Sequence, residues 1–148
     1  MNKKNLIPFF ISGLILFTSC SSYLISVDSL KEQFSGIDST KLINVNVRGP
    51  IGETYSYLAN SIQSIKCKDK NGKPHELINS PSIELRVTYS AENKSKKTVY
   101  YFDRLYLSDC CMIGVQSRFI SSIKKTIPLK DISKIEIQDG RKNFHYIK

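Results

Sequence analysis

Hydrophobic and polar residues alternate with a period of two along much of the chain beyond residue 42. In the clearest run, polar residues separate four apolar ones: Ile83, Leu85, Val87 and Tyr89. This period places apolar side chains on one face of a strand and polar side chains on the other. Shorter runs of the same kind start at Ile43 and Ile135. The pattern therefore predicts several half-buried strands.

Dipeptides that favour tight turns separate these runs. Asn71-Gly72 and Asp139-Gly140 readily supply the positive φ of hairpin turns. We expect the segments on either side of each dipeptide to pair, so the residues after Gly140 should return along the strand before it. The segment Thr98–Leu107 is apolar at both odd and even positions. It is predicted to be one long central strand covered on both faces.

The fold class follows from the number and spacing of these segments. Roughly six to eight short strands, spaced by about ten residues, predict a mainly β domain over residues 42–148. We expect a small antiparallel meander that closes into a barrel or a sandwich. At most one short helix is expected, near the N-terminus, where Ser29 and Glu32 form a capping box and Gly36 ends the segment. Gly114, within an apolar strand, indicates a bulge or a close crossing of two segments.

The first twenty residues have the three parts of an export signal. Lys3 and Lys4 precede an apolar stretch over Leu6–Phe17, which is followed by Thr18-Ser19-Cys20. The apolar stretch falls short of the ~20 residues that a membrane-spanning helix needs, and it suits the core of a secretory signal. The whole segment resembles the type II signal peptide and lipobox of bacterial lipoproteins.

This resemblance implies removal of residues 1–19 and acylation of Cys20, which then becomes the N-terminus. Residues 20–41 are expected to form a lipidated tether followed by the short helix or a linker. Ser21 resembles the residue choice that permits transfer to an outer membrane, so we expect an envelope protein facing the periplasm. Two alternatives remain: an uncleaved membrane anchor, and ordinary signal-peptidase cleavage that leaves Cys20 free.

A second resemblance concerns the C-terminal part. The segment Ile127–Ile137 reads Ile-Pro-Leu-Lys-Asp-Ile-Ser-Lys-Ile-Glu-Ile. It is similar to the closing stretch of many small, uncharacterised bacterial β domains, in which an Ile-Pro-Leu corner leads into the final strand. This resemblance has an implication for the fold only.

The positive net charge of the chain indicates which classes of binding partner to expect. The chain carries a formal net charge of +9, and removal of Lys3 and Lys4 leaves 20 basic and 13 acidic residues, or +7. An exported basic domain meets anionic lipid headgroups, envelope polymers and acidic proteins, so we expect no nucleic-acid partner. The candidate polyanion contact is a loop that carries Lys94, Lys96 and Lys97. The alternative is that this loop is simply solvated.

Three cysteines remain after Cys20: Cys67, Cys110 and Cys111. One disulfide at most can form among them, and Cys67 with either neighbour would close a long loop. The alternatives are free thiols that behave as small hydrophobic residues and a redox or soft-metal site at the adjacent pair. The two histidines lie in no paired metal-ligand spacing, so we expect no metal site and no cofactor.

The chain contains no recognisable catalytic constellation, and the carboxylates, Asp103 among them, are expected to be solvated turn residues. We therefore expect no enzyme activity. The favoured function is a lipid-anchored envelope protein whose β domain binds a protein or an envelope polymer. The alternative is a carrier or sensor of a small apolar or glycan ligand, held in the interior or against Tyr100-Tyr101-Phe102. The oligomeric state is left open.

Overall fold

The computed structural model describes residues 21–139 and 142–147, and the domain is mainly β, with antiparallel pairing, as predicted. Its strands are β1 (Ser22–Ile25), β2 (Ile43–Arg48), β3 (Thr54–Ala59), β4 (Ser64–Lys68), β5 (Pro74–Ile78), β6 (Ile83–Ala91), β7 (Lys94–Tyr101), β8 (Leu105–Leu107), β9 (Cys111–Val115), β10 (Lys124–Pro128), β11 (Ile132–Asp139) and β12 (His145–Ile147). The one α-helix in the described residues is α1 (Val27–Gln33). Short 3-10 helices span Ser39–Lys41, Phe102–Arg104 and Leu129–Asp131.

The strands form three antiparallel sheets. The largest has six strands in the order β5-β4-β1-β11-β6-β7, and the two others are β10-β9-β8 and β12-β2-β3. Within the described residues the sheets stay open, so the sandwich is the arrangement that applies. Three of the predicted features are confirmed: the hairpin at Asn71-Gly72, the strand from Ile83, and the corner between β10 and β11.

The sheet begins earlier in the chain than the sequence predicts. We expected a tether after Cys20, whereas β1 starts at Ser22 and lies between β11 and β4 in the centre of the large sheet. A strand of four residues is too short to show a pattern, and its partners are distant in sequence. The helix is also capped by a different serine, because the hydroxyl of Ser26 accepts a hydrogen bond from the Ser29 amide (3.1 Å).

The predicted central strand over Thr98–Leu107 is wrong. The chain leaves β7 at Tyr101, makes a 3-10 turn over Phe102–Arg104 and only then enters β8. Strand β7 is an edge strand of the large sheet. The mixed apolar pattern has another cause: Tyr100 and Phe102 are in the core, whereas the ring of Tyr101 lies against an arginine on the other side.

The predicted C-terminal hairpin at Asp139-Gly140 also does not form. Strand β12 pairs with β2, and β11 pairs with β1 on one side and β6 on the other. A strand offers only two hydrogen-bonding edges. Because both edges of β11 are occupied, the following segment must find its partner elsewhere.

The main core lies between the six-stranded sheet, helix α1 and the β10-β9-β8 sheet. Its fully buried members include Leu30, Ile65, Leu85, Tyr100 and Met112. Gly114 faces Tyr100 so closely that an added Cβ would lie 2.6 Å from the ring carbon Cδ1 and 3.0 Å from Leu105 Cδ1. Of the two expectations for Gly114, the close crossing is therefore the one observed.

Gly114→Ala is expected to destabilise the domain by about 1–3 kcal/mol, because the added methyl group overpacks a filled core. Urea unfolding followed by far-UV circular dichroism measures this loss. Ser122→Ala, an exposed loop substitution, serves as the control and should leave the midpoint unchanged. An unchanged midpoint for Gly114→Ala would contradict the close crossing.

Candidate functional site

Cys20, the predicted lipidation residue, lies outside the described residues. The predicted polyanion contact is described, but it has a different local structure from the one expected. Glu92 and Asn93 have φ of 53° and 59° and form a two-residue turn, so Lys94, Lys96 and Lys97 belong to strand β7 and not to a loop. The ammonium group of Lys96 lies 2.8 Å from the carboxylate of Glu92.

This β6–β7 hairpin tip lies far from the point at which the chain enters the sheet. Ser22 pairs with Gln138 and Gln138 pairs with Glu84, whereas the Ala91–Lys94 pair is seven residues further along β6. At ~3.3 Å per residue, the tip is about 23 Å from the row that contains Ser22. Lys94 and the chain entry therefore lie at opposite ends of the sheet, and Lys96 and Lys97 lie between them.

The three described cysteines are free thiols. Cys67 is buried in β4, where burial raises its pKa to about 11 and its thiol donates to the carbonyl of His75 (3.7 Å). Cys110 and Cys111 lie in and after the β8–β9 turn with their sulfurs 2.7 Å apart. The hydrogen bond from Cys111 lowers the pKa of Cys110. The disulfide between Cys67 and either Cys110 or Cys111 stays a prediction.

A groove of about 870 Å³ lies between the β4–β5 hairpin and strands β1 and β11. It forms because β1 and β4 share only the register pair Leu24–Lys68 before the chain turns into helix α1. The side chain of Gln33 then takes the place of a strand. Its amide donates to the carbonyl of Lys66 (2.9 Å) and accepts from the Lys66 amide (2.8 Å).

The groove combines an apolar surface with basic side chains. Leu24, which is 38% exposed, contributes apolar surface. The lysines that line the groove outnumber its two carboxylates, Asp69 and Glu76: Lys66, Lys68, Lys70 and Lys134. Its size is within the range of small-molecule sites. This arrangement suits a ligand with an apolar body and an anionic group, and sequence analysis missed it because it depends on two strands that separate.

A second group of polar residues is buried around Asp103. The hydroxyls of Tyr57 and Tyr146 both donate to its oxygen Oδ2, at 2.5 and 3.1 Å. Asp103 is fully buried, which corrects the expectation of a solvated turn carboxylate. Its position inside an apolar run, between Phe102 and Leu105, is the signal that indicates burial. Loss of solvation raises the pKa of Asp103 despite these hydrogen bonds.

Two arginines complete this buried cluster. The guanidinium of Arg118 lies between the rings of Tyr101 (4.0 Å) and Phe144 (4.2 Å). Arg104 lies over the ring of Tyr57 (4.6 Å) and donates to the carbonyls of Ser117 (2.9 Å) and Arg118 (3.2 Å) and to the hydroxyl of Ser121 (3.0 Å). The cluster thereby joins the 3-10 turn after β7, the β12-β2-β3 sheet and the loop over residues 116–123.

The described residues contain no group of three or more His, Cys, Asp or Glu side chains placed to hold a metal ion. No helix in this part of the chain is both long and apolar enough to cross a bilayer.

Asp103→Asn is expected to change how stability depends on pH. Because the pKa of Asp103 is raised from its ordinary value of 3.8 in the folded chain, the folded state holds this proton more tightly than the unfolded state. The resulting stabilisation is fully present below pH 3.8 and is lost as pH rises through the folded pKa. The stability of wild type relative to Asp103→Asn should therefore fall as pH rises.

Urea midpoints of wild type and Asp103→Asn, measured at a series of pH values from below 3.8 upward, test the effect. Asp109→Asn, at an exposed turn position, is the matched control and should run parallel to wild type. A wild-type advantage that grows with pH would show that Asp103 is ionised more easily in the folded chain.

No family model matches this chain, and neither a curated protein nor a solved structure shows significant similarity to it.

Proposed function

We propose that this protein is a cell-envelope lipoprotein, anchored through an acylated Cys20, whose β domain binds an envelope protein or polymer without catalysing a reaction. The observation that carries the proposal is the position of Ser22. It lies two residues after the lipobox cysteine and already belongs to the centre of the large sheet.

Acylation at such a position would hold the folded domain directly at the membrane. Each buried CH₂ of an acyl chain contributes about 0.8 kcal/mol to membrane binding, so several chains make a durable anchor. With only Ser21 between the cysteine and β1, the domain has little freedom to move away from the bilayer. We place it at the outer membrane, facing the periplasm, on the resemblance of Ser21 to the residue that permits such transfer.

The β6–β7 hairpin is the proposed contact with the partner. It places Lys94 about 23 Å, Lys96 about 17 Å and Lys97 about 13 Å from the row of Ser22, so a membrane-held domain presents them away from the bilayer. Lys94 is exposed at the tip. An acidic protein surface or an anionic envelope polymer matches this charge.

The groove favours a second candidate function, the binding of a small amphipathic anion. Its volume of about 870 Å³ and its basic rim support this reading. Native mass spectrometry of the extracted protein separates the candidates. A retained small molecule favours a carrier or sensor, and a retained protein or polymer favours the first function.

The anchor is tested by the intact mass of the membrane-extracted chain. We expect residues 20–148 plus acyl groups for wild type, because acylated Cys20 becomes the N-terminus. Cys20→Ala should give no acylated species and should leave the membrane fraction. A wild-type mass that retains Met1, or that lacks acyl groups, would overturn the lipoprotein proposal.

The basic hairpin is tested by replacing Lys94, Lys96 and Lys97 together with Gln. The triple variant should elute from a heparin column, used as a model polyanion, at clearly lower salt than wild type, because each lost phosphate-like contact reduces the salt dependence of binding. The control replaces three other exposed lysines with Gln: Lys31, Lys41 and Lys130. Equal losses in both triple variants would show that net charge, and not the hairpin, governs binding.

A further inference from the structure

One register row crosses the large sheet at the end where the chain enters it. Ser22 pairs with Gln138, Gln138 with Glu84, and Glu84 with Tyr101. We call this end of the sheet the entry end. Neighbouring strands are about 4.8 Å apart, so Tyr101 lies about 14 Å from Ser22, three strands away.

The loop over residues 116–123, between β9 and β10, is fixed at the entry end. Arg118 lies 4.0 Å over the ring of Tyr101, which belongs to the entry row. Arg104 holds the loop backbone through the carbonyls of Ser117 and Arg118. The loop is therefore attached at its base by two buried arginines.

Three large apolar side chains of this loop are exposed to solvent. Phe119 is 69% exposed, Ile120 51% and Ile123 43%. Neighbouring exposed apolar side chains of this size mark a surface that binds a partner or a membrane. The ring of Tyr55 packs against Phe119 at 72°, with centroids 5.3 Å apart, and most of the Phe119 side chain stays exposed.

The turn between β4 and β5 lies on the other side of the chain entry. Strand β4 neighbours β1 in the sheet. It ends at exposed Lys68, and the turn that follows carries exposed Lys70 and Lys73. The carboxylate of Asp69 accepts hydrogen bonds from the amides of Asn71 (2.8 Å) and Lys73 (2.9 Å). Three lysines against the one carboxylate of Asp69 leave this surface with a net positive charge.

We propose that the entry end is a membrane-binding surface, in which the 116–123 loop inserts Phe119 and Ile120 between lipid headgroups and the β4–β5 turn contacts anionic headgroups. This inference rests on the proposed acylation of Cys20. The Cα atoms of Cys20 and Ser21 are about 3.8 Å apart, so acyl chains would enter the bilayer between the basic turn and the apolar loop. Apolar side chains flanked by lysines are typical of surfaces that lie at the bilayer interface.

The location of the anchor favours a lipid surface over a protein partner. An acylated residue beside Ser21 brings the entry end to the bilayer before any partner can bind there. Tyr101, against which the loop packs, lies about 14 Å from Ser22, so the loop is within reach of the same bilayer surface. Negatively charged headgroups also complement the lysines of the turn.

The chain contains no tryptophan, so one introduced tryptophan reports on its own surroundings. Phe119→Trp in the full, acylated chain would be placed in vesicles of phosphatidylcholine and phosphatidylglycerol, with and without brominated acyl chains. We expect emission about twofold lower in the brominated vesicles, because bromine quenches an indole inserted at the interface. Ile120→Trp is a second probe of the same loop.

Ile78→Trp is the matched control. Ile78 is 83% exposed and pairs with Ser64, about 20 Å along β4 from the entry row. Its emission should be the same in both kinds of vesicle. Replacing Lys68, Lys70 and Lys73 with Gln in the Phe119→Trp chain should lower quenching in the anionic vesicles.

Flotation of the vesicles separates failure of the inference from failure of the anchor. A chain that floats with the vesicles while both loop probes remain as unquenched as Ile78→Trp would overturn the membrane-binding surface and leave the loop to a protein partner. A chain that does not float would overturn both the anchor and the surface. Quenching confined to the loop probes would support the inference.

Discussion

Strand β11 is the element on which the arrangement of the domain depends. It forms hydrogen bonds with β1 from the start of the described chain and with β6 from its middle. This pairing seals the centre of the large sheet, and it forces β12 to pair with β2. It also fixes the place where the chain enters the fold, because Ser22 lies opposite Gln138 near the end of β11. Contacts of such large sequence separation form at a high entropy cost in loop closure.

The buried cluster around Asp103 has a comparable role where the sheets meet. Burial of an aspartate and two arginines is costly unless hydrogen bonds compensate. Part of the compensation comes from two tyrosine hydroxyls, two aromatic faces around Arg118 and the loop carbonyls that accept from Arg104. Among the described residues, Asp103 Oδ1, Arg104 Nε and the two terminal nitrogens of Arg118 have no hydrogen-bond partner. The carbonyls that accept from Arg104 belong to the 116–123 loop. An exposed loop of apolar side chains is thereby held in one position instead of collapsing onto the domain surface.

Sequence alone predicts those parts of the fold that local patterns determine. The alternation from Ile83 and the Asn71-Gly72 turn each contain enough residues in one segment to identify a strand or hairpin. Strand β1 and the pairing of β12 could not be predicted, since each depends on a partner that is remote in sequence. The first half of strand β7 could not be recognised from the sequence, because a run of lysines on a strand resembles a solvated loop.

The candidate sites were harder to predict for the same reason. The groove exists because β1 and β4 separate after one register pair, and no single segment encodes that separation. Asp103 appears in the sequence as one of two adjacent charged residues in an apolar run, and only the two tyrosines that approach from β3 and β12 show its role.

The separation between the two basic regions assigns them different roles. Electrostatic interactions are screened over about 8 Å at physiological ionic strength, whereas the lysines of the β6–β7 hairpin lie about 13–23 Å from the entry row. The hairpin lysines therefore add little to attraction between the entry end and an anionic bilayer, and the lysines of the β4–β5 turn add little to binding at the hairpin. A domain held at the membrane by its entry end, as proposed, retains an independent basic surface. That surface faces the aqueous side of the envelope, where an acidic partner would meet it.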